Sequence, residues 1–119
     1  MDLGVTSRDV GARTVVEVTG EVDVSTSDVM RDRLARLVED GRTDLLVDLR
    51  GVTFMDSTGL GVLVGGLKKI RLQDGRLELV IDSDRLMRVF EITALTQVFA
   101  IHATVEAAID EPADPAEPA

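Results

Sequence analysis

Leu45-Leu46-Val47-Asp48-Leu49 is followed by Val52-Thr53-Phe54-Met55 and then by Asp56-Ser57-Thr58-Gly59, which opens a pattern carrying Leu60, Leu63, Val64, Leu67 and Ile70. The first run is apolar and of strand length, as in a parallel strand covered on both faces, and its lone Asp48 is expected to face outward or to lie near the functional end. The later pattern repeats every three to four residues, which is helical, and Asp56 or Ser57 offers a side-chain oxygen to cap it. Gly59, Gly61, Gly65 and Gly66 weaken that helix by up to about 1 kcal/mol each relative to Ala. Close packing of the helix backbone, at Gly59 and Gly61 against the sheet, is the expected reason for them.

On the N-terminal side, residues 3–8 and 14–21 are short β-prone runs joined by Asp9-Val10-Gly11-Ala12-Arg13, which reads as a hairpin connection. Thr19-Gly20-Glu21-Val22-Asp23 then leads to Ser25-Thr26-Ser27, whose hydroxyls are expected to cap a helix bearing Val29, Met30, Leu34, Leu37 and Val38 and stopped by Asp40-Gly41. On the C-terminal side, Leu77-Glu78-Leu79-Val80-Ile81 reads as a strand, 84–92 as a short helix, 98–101 as a short strand and 104–109 as a final helical turn or two. Alternating strands and helices imply an α/β fold with a mixed, mostly parallel β-sheet, an antiparallel N-terminal edge hairpin and about four α-helices. Residues 1–109 form one domain in this reading. Residues 110–119 hold all three prolines and four acids, and are expected to be an acidic, Pro/Ala-rich disordered tail.

Composition removes several functions. The 119 residues carry 13 Lys+Arg against 22 Asp+Glu, a net charge of −9 that repels nucleic-acid backbones and anionic membrane faces. Without the tail the charge is still −5. Three Phe and no Trp or Tyr leave little for base stacking. No cysteine is present, and a single His makes no metal cluster. No apolar run approaches the roughly 18 residues that span a bilayer, and Met1-Asp2-Leu3-Gly4 lacks the basic and apolar regions of a secretion signal. A cytoplasmic protein without cofactor is the expectation.

The usual catalytic patterns fail at specific positions. Read from Gly61, a phosphate-binding loop finds its Gly66 but has Leu67 where it needs lysine. A dinucleotide fingerprint from Gly59 and Gly61 meets Val64 instead of a third small residue. Ser57 has only His102 as a candidate base, on a different segment, and no G-x-S-x-G elbow around it. Asp56 suits either a catalytic acid or, more simply, a cap. The pairs Glu21 with Asp23 and Asp82 with Asp84 allow a cation, although loop carboxylates more often cap or face water.

The run Phe54-Met55-Asp56-Ser57-Thr58-Gly59-Leu60-Gly61-Val62-Leu63 resembles the signature of the STAS domain of anti-sigma factor antagonists, and Thr19-Gly20-Glu21-Val22-Asp23 resembles that family's second motif. The resemblance covers about residues 3–109, and 56–68 looks most like actinobacterial members. It implies a single STAS-like domain that is no enzyme. Its implied partner is an anti-sigma factor that is itself a Ser/Thr kinase of the histidine-kinase-like ATPase type. That kinase phosphorylates the serine after the aspartate, here Ser57, and a PP2C-type phosphatase resets it. The unphosphorylated form then binds the anti-sigma factor and frees the sigma factor. Thr58 stands where family members often have a second serine. The partner-binding set is accordingly Glu21, Asp23, Asp56, Ser57, Thr58, Gly59 and Gly61, on two loops that follow parallel strands and so share one edge. A phosphate on Ser57 is expected to sit over unpaired N–H groups at the helix start. The alternative is a ligand- or nucleotide-sensing module of a larger regulatory assembly.

Overall fold

A computed structural model describes residues 3–110. They form β1 (Gly4–Val10), β2 (Arg13–Val22), α1 (Ser27–Glu39), β3 (Asp44–Met55), α2 (Ser57–Arg71), β4 (Arg76–Val80), α3 (Asp84–Ile92), a 3-10 turn (Leu95–Gln97), β5 (Ile101–His102) and α4 (Val105–Asp110). The five strands lie side by side in chain order; β1 is antiparallel to β2, and every later pair is parallel. The α/β class, the mixed sheet, the edge hairpin and the four α-helices are as the alternation implies. The hairpin connection shrinks to Gly11-Ala12, with Gly11 at φ +62 in the left-handed region that favours glycine.

Side-chain alternation along the strands decides where each helix packs. Val16, Val18, Leu45, Val47, Leu77 and Leu79 point to one face and share a core with Met30 and Leu34 of α1, Leu63, Leu67 and Ile70 of α2, and Phe90 of α3. Burying each such side chain contributes about 1.5–3 kcal/mol. Val15, Leu46 and Val80 point the other way, where α4 covers them with Val105 and Ala108. Around this smaller core the second face is charged. Buried Arg13 donates to Asp44 Oδ1 at 2.9 Å, to Glu78 Oε1 at 3.1 Å and to the Ala108 carbonyl at 3.2 Å. His102 Nε2 lies 3.0 Å from the same Glu78 oxygen.

Several readings of the sequence need correction. The strand expected at 98–101 starts only at Ile101; before it Ala94, at φ +61, opens the 3-10 turn, and Phe99 plugs the core edge-on to Phe90 with ring centroids 6.1 Å apart. The run at 45–49 is part of a longer strand, because β2 keeps pairing with β3 as far as Val22 opposite Met55. Asp48 is buried rather than outward-facing, and its two oxygens take both Nε and Nη2 of Arg50, each at 2.9 Å. Val29 is 49% exposed, outside the core stripe of α1. Asp110 ends α4, and the acidic stretch beyond it lies outside the described residues.

Candidate functional site

β2 and β3 run past the end of β4, which pairs with β3 only as far as Asp48 opposite Val80. Their shared tip, closed by Val22 opposite Met55, therefore projects from the sheet and sends out two loops side by side. Two register shifts, between Glu17 and Thr19 and between Gly20 and Glu21, bend β2 on its way there. Gly20 takes φ +105 at the second of them, a conformation that disfavours any side chain, and this explains the glycine in Thr19-Gly20-Glu21.

The first loop is organised by Asp23. Its Oδ1 accepts from the Ser25 amide at 2.9 Å, the Ser25 hydroxyl at 2.7 Å and the Thr26 amide at 3.2 Å. These bonds, that of the Ser25 hydroxyl foremost, hold the Asp23 carboxyl below its ordinary pKa. Thr26 stands at the N-cap of α1 yet caps nothing with its side chain. Its hydroxyl reaches back to donate to the Glu21 carbonyl at 2.7 Å and accepts from the Asp23 amide at 3.0 Å. The expected hydroxyl caps are thus loop staples, because a short carboxylate nearby collects the amides first. Ser27, also read as a cap, is buried with its Oγ unpartnered among the described residues.

The second loop is a single residue. Asp56, extended at φ −101 and ψ −173, caps α2 by accepting from Thr58 N at 2.9 Å and Gly59 N at 3.3 Å, while its own amide donates to the Val22 carbonyl at 3.1 Å. Ser57, the first helical residue, is exposed, and its hydroxyl bonds to no described residue. Thr58 is only partly exposed. Since Asp56 already takes two amides of the first turn, the helix start is not the row of free N–H groups expected for a phosphate.

Gly59 is where α2 lies against the strand tip: a Cβ there would stand 2.7 Å from Val22 Cγ1 and 2.8 Å from Met55 Cγ. Gly61 does not share this role, for a Cβ there meets nothing within 4 Å, and the same holds for Gly65. Both face a groove between α1 and α2. Of the seven residues expected in one site, Glu21 lies near the end of β2, Asp23 and Asp56 on the two loops, and Ser57, Thr58, Gly59 and Gly61 in the first turns of α2, with Gly61 on the groove side.

Three apolar side chains on the same elements stand out into solvent: Val24 at 75% exposure, Phe54 at 51% and Val29 at 49%. Only the polarity of their neighbours in Asp23-Val24-Ser25 hinted at this. His102, the one candidate base for Ser57, is engaged by Glu78 on the α4 face, level with Asp48; from there β3 runs on for roughly 20 Å before Met55. Among the described residues no group of three or more His, Cys, Asp or Glu is placed to hold a metal ion.

The model of the STAS domain family matches residues 5–108. A curated anti-sigma-B factor antagonist of Bacillus subtilis is 44% identical over 94 residues, which cover 79% of this chain and 85% of that protein. The crystal structure of an anti-sigma factor antagonist from Mycobacterium paratuberculosis superposes with a TM-score of 0.85 at 25% identity, covering 91% of this chain and 92% of that one. The Bacillus cell fate determinant SpoIIAA, solved in its phosphorylated form, superposes at 0.70 with 26% identity over 90% of this chain and 97% of its own. With a family model spanning nearly the whole described fold, and a relative this similar over most of both lengths, the chain belongs to the STAS domain family and, within it, to the anti-sigma factor antagonists.

Proposed function

We propose that the chain works by partner switching in the cytoplasm, with Ser57 as the switch. Unphosphorylated, it binds an anti-sigma factor through the tip of β2 and β3 and the first turns of α2, and so frees a sigma factor. The anti-sigma factor is a Ser/Thr kinase of the histidine-kinase-like ATPase type, and it ends the complex by phosphorylating Ser57. In that step the Ser57 Oγ bonds to the γ-phosphorus of ATP, the bond to the ADP oxygen breaks, and the hydroxyl proton passes to a base on the kinase. A metal-dependent PP2C-type phosphatase hydrolyses the phosphoserine and restores binding.

The observation that carries this reading is the contrast among hydroxyls at the tip. Ser25 and Thr26 are engaged within their loop, whereas the Ser57 hydroxyl is exposed and bonds to no described residue, and the neighbouring Thr58 is only partly exposed. A kinase needs such a free hydroxyl. The phosphate adds about −1.5 to −2 charges at pH 7 directly beside the Asp56 carboxylate. Two first-turn amides are already taken by Asp56, so the helix offers less compensation than a bare N-terminus. Like charges facing a partner surface shaped for a neutral hydroxyl cost several kcal/mol, and each 1.4 kcal/mol is about tenfold in affinity.

Titration of the anti-sigma factor against Ser57→Ala and Ser57→Asp tests the proposal. Ser57→Ala is expected to bind like the unmodified chain, and Ser57→Asp on the order of a hundredfold more weakly. Equal affinities for the two variants would rule the switch out.

A further inference from the structure

The groove between α1 and α2 is a cavity of about 410 Å³, within the size range of small-ligand sites. Its walls are Leu34, Val38, Val62 and Leu77, and its open floor lies over Gly61 and Gly65, where an added Cβ meets nothing. No packing among the described residues requires glycine at these two positions, yet each weakens α2 by about 1 kcal/mol relative to Ala. Their effect is to keep a long apolar trough empty.

The trough has a length and a charge. It runs along α2 from Thr58 to Lys69, which at helical rise is roughly 16 Å, the reach of an extended chain of about ten to twelve carbons. Both charged side chains in its lining, Arg31 and Lys69, are cationic, on a protein whose net charge is −9. Arg31 is occupied by Asp28 at 2.7 Å, while Lys69 makes no ion pair with a described residue. An apolar trough with one uncommitted ammonium matches an amphiphile with an anionic head.

We propose that this groove binds a free medium-chain aliphatic carboxylate, its head at Lys69 and its chain lying over Gly65 and Gly61 toward Thr58. The site is separate from the Ser57 hydroxyl and stands whether or not Ser57 is the switch. It gives the domain an apolar ligand as a second input, ending one residue from Ser57.

Thermal unfolding and titration calorimetry with decanoate, kept below its micelle threshold, and with decanol as the uncharged analogue test the site. Decanoate is expected to raise the melting temperature of the wild-type chain in a dose-dependent way. Gly65→Leu, which fills the trough, is expected to fold and to lose that response. Lys69→Met is expected to bind decanoate about threefold more weakly and decanol unchanged. Gly61→Leu serves as a second filling variant, read in the same way with circular dichroism as the check on folding. An absent response in the wild type, an undiminished one in either filling variant, or failure of both to fold overturns the proposal. So does a groove that Gly65→Leu closes to the anti-sigma factor while decanoate never binds, which assigns it to a protein partner instead.

Discussion

The two loops at the tip of β2 and β3 each rest on one aspartate, but they use it differently. Asp23 gathers amides and a hydroxyl into a closed turn, so the serine and threonine that follow are engaged within the loop. Asp56 spends its carboxylate on backbone amides alone and leaves the next hydroxyl outside. The same residue type therefore builds a rigid, self-satisfied ridge on one side and a presented nucleophile on the other. A carboxylate one or two residues before a serine does not by itself predict which outcome follows. What decides is whether the next residue enters a helix, where its side chain points away from the cap, or a turn, where it folds back.

The largest effect expected from this contrast is on phosphate incorporation. With the kinase and ATP, Ser57→Ala is expected to lose it entirely and Ser25→Ala to keep it, read by intact mass; phosphate on Ser25 would break the contrast. Next is packing beneath the second loop. Gly59→Val places a side chain against Val22 and Met55 and is expected to destabilise the fold by about 1–3 kcal/mol, whereas Gly61→Ala is expected to be neutral or to stabilise by up to about 1 kcal/mol, measured by urea unfolding. Removing the cap with Asp56→Ala is expected to cost about 1 kcal/mol in the same measurement.

The smallest effect is a pH dependence confined to the first loop. Asp23 has a lowered pKa in the fold, so its contribution is complete above the unfolded value near 3.8 and is lost as the pH falls through the folded value. Hydrogen exchange should show the Ser25 and Thr26 amides losing protection in that acid window. Protection that rises on acidification contradicts the assignment.

Much of this was legible before any coordinates. The short helix read at 84–92 is α3 to the residue, and its boundaries hold because Ser83 caps its start by accepting from Leu86 N. A cap at Asp56 or Ser57 and the pairing of the two loops follow from residue type and strand order, and the structure gives the cap to Asp56. The misreadings share one cause, that local patterns carry no information about long-range neighbours. Val98, Phe99 and Ile101 look like a strand, but Phe99 is drawn inward by Phe90 on another element. Asp48 sits in an apolar run only because Arg50 neutralises it two residues on. Gly61 and Gly59 look alike in sequence and differ wholly in space, one over a groove and one pressed on a strand tip.

Arg13 begins β2, yet one of its guanidinium nitrogens binds the carbonyl of Ala108, 95 residues later. During synthesis the hairpin, α1 and α2 leave the ribosome while that acceptor has not been made, and the Arg13 charge has only part of its eventual company. A chain halted before α4 keeps the pairs of Arg13 with Asp44 and Glu78 but lacks that carbonyl and the Val105 and Ala108 cover over Val15, Leu46 and Val80, so the second face of the sheet stays open to water. Closure of that face by α4 thus comes after the rest of the sheet is in place, and a chain truncated before Val105 keeps a weak point there through which the sheet opens to proteases.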